Sequence, residues 1–510
     1  MAQSTIKKGF FFYFGMFAVI VVTVFLISLV IMMFNPGETV LWMKYFTSTG
    51  TPMQIVVCNT EDQKDTIDYS KLEGIVVNCG YSDVVVQKNK KYNGSGIWIT
   101  NSTKGFAGHK SNTEFTYTVS RDSENANILN ITVHEPEGFL FFSNNIVIDI
   151  ASDAVANDWN LNNISVTVNS TGDGDIEIGG TSNKEEELIS LKSLSIDAKK
   201  SDIYLNSTFN TQNCSNLSLV TESGRIASNS YVDTEQKKTG IKTNCKTKIV
   251  TSSGKINLNT VNVGDNVLTL GCRTGSVSID SIVAKSVSVD DTRGNFIINN
   301  IQADVNFGTY IENVASGSIE SPYFNAGTID GNFCLASTDE ESAPEIHIDK
   351  VKGDFTVHSQ KGNVVVNSIG GKIDIVSGDK MSVNVVVASE NTDNSVIIDC
   401  DSGDVVVTYA GNVTTATNQL SMENDKGTIE VKITNKASFI ANLNNDFTDD
   451  NNKAKYSNTV NVNVDGTNVN VVDSTSDDKT ITKNFNYGTT DNTLNIKSNG
   501  KSVTFTLIAV

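Results

Sequence analysis

Closely spaced carboxylates are the residues of this chain whose chemistry is easiest to specify. Asp173 and Asp175 stand within Gly172–Asp175, and a second group of acids lies in Asp446–Asp450. Hard cations such as Ca²⁺ bind several oxygen ligands, so such spacing could make a calcium site. Neither segment has the ligand spacing of an EF-hand loop or of a calcium-binding β-roll. The sequence therefore favours solvated turn residues, and we predict no metal site.

Histidines and nucleophile motifs offer no catalytic site. The four histidines are scattered and lack metal-ligand spacing: His109, His134, His347 and His358. No Gly-x-Ser-x-Gly elbow and no His-Glu-x-x-His motif occurs. The nearest match to a phosphate-binding loop ends in Gly500-Lys501-Ser502 but has Asn495 where the first glycine should stand. We predict that the chain is not an enzyme and has no catalytic residues and no cofactor.

The seven cysteines are too widely spaced for a zinc site, because no Cys-x2-Cys pair occurs. Cys58 and Cys79 fall in predicted strands that we expect to be adjacent, so they could pair as a disulfide. Cys214 with Cys245 is a second, weaker candidate pair. The others are predicted to be small buried hydrophobic residues: Cys272, Cys334 and Cys400.

Charge and length exclude several classes of protein. The chain has 39 Lys and Arg against 58 Asp and Glu, a formal net charge of −19. This balance argues against nucleic-acid binding and against electrostatic docking on anionic lipid. At 510 residues the chain exceeds what one compact core usually holds, so two domains or an elongated repeat is expected.

The N-terminus carries the strongest single signal. Gly9–Phe34 contains no charged residue and is long enough for a helix to cross a bilayer. A cleaved signal peptide usually has a shorter apolar stretch and small residues at its end. Lys7 and Lys8 precede the run, whereas Glu38 follows it, so the positive-inside rule places residues 1–8 in the cytoplasm. The sequence predicts a single-pass anchor at the cell membrane with an outer ectodomain.

Short alternating apolar runs separated by Gly, Asn, Asp and Ser predict strands along the rest of the chain. Examples are 74–77, 83–86, 128–133, 146–150 and 194–197. The segment 184–191 could form one helical turn, although a charged loop is the preferred interpretation. Thr459–Val472 alternates strictly around Asp465-Gly466, which predicts a hairpin.

A glycine, one polar residue and then an apolar residue recur from about residue 170. The glycines of this repeat are Gly174, Gly224, Gly254, Gly275, Gly294, Gly317, Gly331, Gly353, Gly362, Gly371, Gly403 and Gly427. Many spacings cluster near 19–24 residues, with two of nine and longer ones of 30 and 50. Each glycine would supply a positive φ or let backbones stack closely, and neighbouring units must stack to bury their apolar faces.

We therefore predict an all-β fold, a single-strand stacked β-solenoid, after one N-terminal transmembrane helix. A pair of β-sandwiches is the alternative. The predicted regions are a cytoplasmic end 1–8, the span 9–34, a juxtamembrane segment 35–47, a membrane-proximal β cap 48–165, solenoid repeats 166–435 and an irregular β end 436–510.

The order of these features resembles a bacterial adhesin-like family of unknown function that carries Gly-Asp-Ile/Val repeats. The matching motifs are 74–77 with 81–86, Gly174-Asp175-Ile176, Gly353-Asp354-Phe355 and Gly403-Asp404-Val405. The resemblance covers roughly residues 70–430. It implies a β-solenoid with an adhesive or envelope role at the cell surface, and it supplies no catalytic residues.

Solenoid-shaped pectin hydrolases are the enzymes to compare. They use an Asn-Thr-Asp, an Asp-Asp, a Gly-His-Gly and an Arg-Ile-Lys in that order. Here Asp290-Asp291 precedes Asn391-Thr392-Asp393, and the other two motifs are missing. An enzyme is therefore disfavoured.

The expected function is adhesion or extracellular binding along an extended repeat face, with surface glycans or extracellular proteins as partners. The alternatives are a structural or sensing scaffold of the envelope and a carbohydrate-active enzyme. An exposed row of aromatic residues would favour glycan binding, a cleft with two carboxylates would favour the enzyme, and a featureless polar surface would favour the scaffold. Oligomeric state is left open. Nine Asn-x-Ser/Thr sequons occur, which chance alone would supply in so Asn-rich a chain.

Overall fold

The computed structural model shows an all-β chain, as the alternating sequence predicts. The described residues are 16–17, 19, 22–23, 53–58, 73–88, 96–106, 116–121, 128–134, 141–150, 164–179, 191–206, 208–211, 214–228, 240–290, 293–307, 309–311, 314–316, 321–337, 339–388, 395–410, 418–422, 428–434, 439–446, 470–476, 480–487, 493–498 and 502–508. Within these ranges, no helix is long and apolar enough to cross a membrane. The predicted span 9–34 is described at only five residues, all of them helical.

The strands are numbered in chain order. The first nineteen are β1 Met53–Cys58, β2 Gly74–Cys79, β3 Asp83–Lys88, β4 Gly96–Phe106, β5 Thr116–Arg121, β6 Ile128–His134, β7 Phe141–Ile150, β8 Ser165–Ser170, β9 Ile176–Ile178, β10 Ser193–Ala198, β11 Ile203–Leu205, β12 Phe209–Thr211, β13 Asn216–Thr221, β14 Ile226–Ser228, β15 Gly240–Thr243, β16 Lys246–Thr251, β17 Lys255–Asn262, β18 Val267–Cys272 and β19 Ser276–Asp290. The rest are β20 Asn295–Phe307, β21 Thr309–Ile311, β22 Val314–Ser316, β23 Tyr323–Ile329, β24 Phe333–Ala336, β25 Glu345–Val351, β26 Phe355–Ser359, β27 Gly362–Ile369, β28 Ile373–Val387, β29 Val396–Ser402, β30 Asp404–Tyr409, β31 Asn418–Met422, β32 Thr428–Thr434, β33 Phe439–Asp446, β34 Asn470–Ser476, β35 Thr480–Tyr487, β36 Thr493–Ser498 and β37 Ser502–Ile508.

Most of these strands stack in three parallel ladders. Ladder A contains β6, β2, β8, β10, β13, β16, β18, 286–289, 304–307, β24, β26, 373–377, β29, β31, β36 and β33 in spatial order. Ladder B contains β7, β3, β9, β11, β14, 255–258, 276–279, 295–298, 323–326, 345–348, 363–366, 383–387, β30, β32 and β37. Ladder C runs from β12 and β15 through 260–262 and 281–283 to 350–351 and Ile369.

From β10 to β28 the chain passes through ladder A, then B, then C before it returns to A, and we call one such passage a coil. Between β10 and β28, the step between stacked residues of ladder A ranges from 18 residues, between Ser286 and Asp304, to 30, between Asn216 and Lys246. Loops inserted at the corners account for the long steps, because the paired segments themselves stay in register. The variable spacing of the sequence repeat therefore reflects loop length.

Both described ends of ladders A and B depart from chain order. Strands β6 and β7 lie outside β2 and β3, although β8 and β9 follow them in sequence and pair on the inner side. At the other end β36 and β37 stack directly on β31 and β32, and β33 lies outside β36. Antiparallel strands then follow at each end, with β5 on β6, β4 on β7, β1 on β4, β35 on β33 and β34 on β35.

In the ladder strands between β2 and β32 whose side chains are described, alternate side chains point inward and form one continuous apolar core. In β29, for example, every second residue from Val396 to Ser402 is buried. Phe307 lies at the centre of an aromatic cluster, with ring centroids 5.8 Å from Phe296, 5.1 Å from Phe324 and 5.8 Å from Phe333. Phe355 stacks on Phe333 at 5.2 Å. Five phenylalanines from neighbouring coils thus fill the middle of the core.

The glycine repeat marks two corners rather than one. Gly224, Gly254 and Gly275 stack where ladder A turns into ladder B, whereas Gly353 and Gly371 stack where ladder C turns into ladder A. The two steps of nine residues arise because Gly362 belongs to the first kind of corner and its neighbours Gly353 and Gly371 belong to the second.

Close stacking explains the glycine at most of these corners. A Cβ on Gly254 would overlap the carbonyl oxygen of Gly224 in the preceding coil and lie 2.6 Å from Oγ1 of Thr251. The Thr251 hydroxyl accepts a hydrogen bond from the Gly254 amide at 3.0 Å and donates to the Gly224 carbonyl at 3.1 Å. At Gly403 the backbone itself requires glycine, because its φ is +118°.

The prediction that Cys58 and Cys79 lie in adjacent strands is wrong. Strand β1, which holds Cys58, pairs with β4, whereas β2, which holds Cys79, pairs with β6 and β8. The inserted hairpin strands at this end separate the two segments. Cys79 is buried, and its Sγ atom contacts the carbonyl oxygen of Asn169 at 3.8 Å.

Candidate functional site

The residue that precedes the first buried side chain after a corner has a recurring local role. Asp83 accepts a hydrogen bond from the Asp175 amide at 2.9 Å, and Asp202 accepts one from the Arg225 amide at 2.6 Å. Asp354 does the same for the Lys372 amide at 2.8 Å. Each carboxylate thereby satisfies a backbone donor of the next coil, at a corner where the regular ladder has ended. The Asp of the Gly-Asp-Ile repeat is therefore a structural residue first.

At the beginning of ladder B these residues also form a polar network on the outer surface. The register stacks position 83 on 175, 202 and 225, and position 177 on 204. We call this set the ladder B network; its members are Asp83, Asp175, Glu177, Asp202, Tyr204 and Arg225. Three of them stand at corners, two in the short strands β9 and β11, and Asp83 at the start of β3.

Arg225 is the cation of the ladder B network. One guanidinium nitrogen, Nη2, lies 3.2 Å from Oδ2 of Asp202 and donates to the Tyr204 hydroxyl at 2.6 Å. The Tyr204 hydroxyl donates in turn to Oδ2 of Asp202 at 2.8 Å, and the guanidinium carbon lies 5.3 Å from the centroid of the tyrosine ring. The guanidinium is thus held by a carboxylate, a phenol oxygen and an aromatic face.

The carboxylates on the other side of the network have altered acidity. Partial burial, and then the charges of Asp83 and Asp202, raise the pKa of Asp175 to about 6. Burial also raises the pKa values of Asp83 and Glu177. The Asn206 side-chain amide donates a hydrogen bond to the Glu177 carboxylate, which partly opposes the shift of Glu177. A carboxyl that takes up a proton near pH 6, beside a fixed guanidinium, can exchange hydrogen bonds with a polar ligand.

A pH experiment checks the altered acidity. The pKa of Asp175 is higher in the folded chain than its ordinary value of 3.8, so its contribution to stability is full below pH 3.8 and is lost as pH rises through about 6. We expect Asp175→Asn to remove this loss, so that its urea midpoint at about pH 7.5 exceeds that of the wild type.

The matched control is Asp197→Asn, which removes an exposed carboxylate from ladder A. Its urea midpoint should follow the wild-type dependence between about pH 4 and about pH 7.5. If Asp175→Asn and Asp197→Asn showed the same pH dependence, the raised acidity of the network would be refuted.

The two candidate calcium segments are described to different extents. Asp175 belongs to the ladder B network, and of Asp446–Asp450 only Asp446 is described, at the end of β33. In the part of the chain that the structure describes, no group of three or more His, Cys, Asp or Glu side chains is arranged to hold a metal.

The histidines are placed singly. His109 lies outside the described residues, and His134 ends β6. His347 on ladder B contacts Glu345 at 3.0 Å and lies against the ring of Tyr323, and His358 on ladder A contacts Asp374 at 3.1 Å. Both described pairs are half-buried surface contacts between a histidine and a carboxylate.

The residues compared with pectin hydrolases do not come together in the described chain. Asp290 ends β19 opposite Gly271 on ladder A. Asp291 and 391–393 lie outside the described residues.

A shallow depression lies near the corner before β25. It has a volume of about 490 Å³ and is lined by Arg293, Ser321, Asp339 and Glu341. The Asp339 carboxylate accepts the Glu341 amide at 3.0 Å, and Glu341 is 88% exposed and lies 3.8 Å from Lys361. These carboxylates serve a turn and a solvated ion pair, so the depression lacks the poised pair of acids that glycoside hydrolysis needs.

Large apolar side chains are rare on the described outer surface. The exposed ones outside the N-terminal segment are Tyr81 at 63%, Ile297 at 44% and Val376 at 37%. They lie at a corner, on ladder B and on ladder A respectively, so no row of aromatic residues is exposed among the side chains that the structure describes between β2 and β32. The outward positions are instead dominated by Ser, Thr, Asn and Asp.

Sequence reasoning named Asp175 but missed most of the network. Asp202, Tyr204 and Arg225 stand outside any Gly-Asp motif, and Asp202 and Arg225 are separated by a whole coil. The strand register could have revealed them, because the residues that precede the buried Ile of successive ladder B strands must lie side by side. No protein-family model and no curated protein sequence matches this chain.

Proposed function

We propose that the chain is a membrane-anchored cell-surface protein that presents a β-solenoid and binds extracellular partners along its outer face. The observation that carries this proposal is the continuous register of ladder B. Outward side chains repeat at about 4.8 Å from coil to coil, which suits many weak contacts with an extended ligand. The ladder B network provides the most strongly interacting group of polar side chains on that face.

Surface glycans and extracellular proteins are the proposed partners. Both offer hydroxyl, amide and charged groups in extended arrays, and a row of carboxylates with one arginine can pair with such groups. The proposed role is binding without catalysis. The resemblance to the adhesin-like family points in the same direction.

The N-terminal anchor is part of the proposal. Met16, Phe17, Val19 and Val22 are helical and 49–64% exposed, so apolar side chains face outward there. The Thr23 hydroxyl donates to the Val19 carbonyl at 2.7 Å, which satisfies it within the helix. Both features suit a helix surrounded by lipid. Residues 1–8 would lie in the cytoplasm, with the ectodomain outside.

Adhesion of whole cells tests this function directly. Cells that display the full chain should be retained on one class of a panel of immobilised glycans and extracellular proteins, and the soluble ligand should compete. Protease added outside intact cells should abolish retention, since the binding region is proposed to lie outside. The double variant Asp202→Asn with Arg225→Gln should lower retention at least about fivefold, the factor that corresponds to ~1 kcal/mol.

An ion pair on another face supplies the matched control. Lys352 and Asp330 lie on ladder C with Nζ and Oδ2 separated by 2.7 Å. Asp330→Asn with Lys352→Gln removes the same kinds of charge and leaves the net charge unchanged, so it should bind like the wild type. Equal losses in both double variants would contradict a binding face on ladder B.

A structural scaffold of the envelope is the second candidate. The observation in its favour is the polar surface of ladders A and B between β2 and β32, where the described side chains form no exposed aromatic row for stacking on sugar rings. If cells that display the chain are retained on no member of the panel, the binding proposal fails and the scaffold is preferred.

A further inference from the structure

Two cysteines lie side by side at the corner that leads into ladder A. Cys214 precedes β13 and Cys245 precedes β16, and Asn216 pairs with Lys246. The register therefore places Cys245 opposite Ser215, so Cys214 and Cys245 are diagonal neighbours in adjacent coils. Their exposed fractions are 8% and 4%, and both are free thiols.

Their spacing fits a disulfide. Strands stack at about 4.8 Å and rise about 3.3 Å per residue, so diagonal neighbours have Cα atoms roughly 6 Å apart. Disulfides bridge Cα atoms about 4.4–6.8 Å apart. The two thiols already contact each other by a hydrogen bond.

The surroundings of Cys245 favour its thiolate. The Cys214 thiol is the main donor to Cys245 Sγ, and the hydroxyls of Thr243 and Thr247 and the Leu217 amide add further hydrogen bonds. Together these hydrogen bonds outweigh the effect of burial and lower the pKa of Cys245 to about 7. The hydrogen bond between the two cysteines has the opposite effect on Cys214 and raises its pKa. The thiolate is the nucleophilic form of cysteine, so Cys245 is the member of the pair that can attack a disulfide first, and Cys214 is the neighbouring thiol that can react second.

The other described cysteines lack this arrangement of donors. Burial raises the pKa values of Cys272, Cys334 and Cys400, which keeps them as thiols near neutral pH. Reactivity toward disulfides depends on the thiolate fraction and on access. Cys334 is more exposed than Cys245, but its raised pKa leaves little thiolate, so among these four positions we expect Cys245 to react first.

We propose that Cys214 and Cys245 form a redox-active pair that closes to a disulfide by exchange with a small or protein disulfide. The Cys245 thiolate attacks one sulfur of the donor disulfide and releases the other as a thiolate. Cys214 then gives up its proton and attacks Cys245 Sγ, which releases the second donor thiol. The pair loses two electrons and two protons, and the donor disulfide is reduced to two thiols.

Such a bond would tie consecutive coils together. It would join the start of β13 to the start of β16, which are 30 residues apart in the chain and stacked in ladder A. A cross-link of this kind restricts the unfolded chain and stabilises the folded one. The pair would thus reinforce the stacking of these two strands.

Peptide mapping of the full chain in detergent tests the proposal, with oxidised glutathione as the probe. After oxidation, alkylation of remaining thiols and trypsin digestion, residues 201–225 should be linked to residues 243–246, with a mass two hydrogens below the sum of the two peptides. The rate of link formation should rise with pH and level off above about 7, following the Cys245 thiolate. Oxidation should raise the midpoint of thermal unfolding by about 3 °C.

Variants separate the pair from the other cysteines. Cys214→Ser and Cys245→Ser should lose both the linked peptide and the shift in the unfolding midpoint, whereas Cys334→Ser should keep both. If both cysteines of the oxidised wild type are still alkylated, or if glutathione stays on Cys245 without transfer to Cys214, the proposal is overturned. The wild-type map decides the matter even if a serine variant fails to fold.

Discussion

Gly254→Ala is expected to destabilise the chain by about 3 kcal/mol or more, because overpacking against backbone cannot be relieved by a rotamer change. The new Cβ would overlap the Gly224 carbonyl oxygen and crowd the Thr251 hydroxyl. The coil would have to move away, and the hydrogen bonds of Thr251 to Gly224 and Gly254 would be lengthened or lost. The measurement is the free energy of unfolding from urea denaturation, followed by the circular dichroism of the strands.

Gly74→Ala is the matched control. Gly74 begins β2, and the nearest atoms to an added Cβ there lie at 3.6 Å, which is ordinary van der Waals contact. Its effect should stay within about 1 kcal/mol, the range of a glycine-to-alanine change in an unstrained strand. If both alanine variants unfolded at the same urea concentration, close stacking would not be the reason for glycine at the corner.

Phe307→Ala is expected to cost about 3–5 kcal/mol, as for other large-to-small changes in a packed core. Phe307 is completely buried and contacts three other phenylalanine rings, from the coils on both sides. The cavity left by its ring would be lined by rigid aromatic side chains that collapse poorly. Thermal or urea unfolding of the purified chain measures the loss.

Phe307→Leu separates the cavity from the specific ring contacts. Leucine keeps most of the volume, so this variant should lose only about 1–1.5 kcal/mol. A loss as large as that of the alanine variant would mean that ring geometry, rather than filled volume, holds this part of the core together.

Local patterns predicted the strands well because they record local physics. Alternation with period two decides which side chains of a strand such as β29 are buried, and it is readable from one segment alone. The glycine repeat likewise follows from the space at a corner. The strands predicted at 74–77, 83–86, 128–133, 146–150 and 194–197 all lie within strands of the structure.

Pairing between distant segments could not be read from the same patterns. Nothing local distinguishes Gly353 from Gly362, although they stand at different corners of one coil. The placement of β6 outside β2 is decided by which surfaces remain unpaired after β8 has stacked. The error over Cys58 and Cys79 has this cause, since closeness in sequence was taken for closeness in space. The Asp202–Arg225 contact was missed because the two residues are distant in sequence, although stacking brings them together in space.

The antiparallel strands at the two ends of the ladders bear on how large an assembly can become. The last strand of a parallel stack has unpaired backbone groups, so a strand from another copy of the chain could pair with it and extend the stack, as in amyloid. Reversal of strand direction at β5, β4, β35 and β34 changes the hydrogen-bond pattern that an incoming parallel rung would have to match. We therefore expect the same parallel pairing that gives this protein its length to stop within a single chain instead of continuing into a fibre.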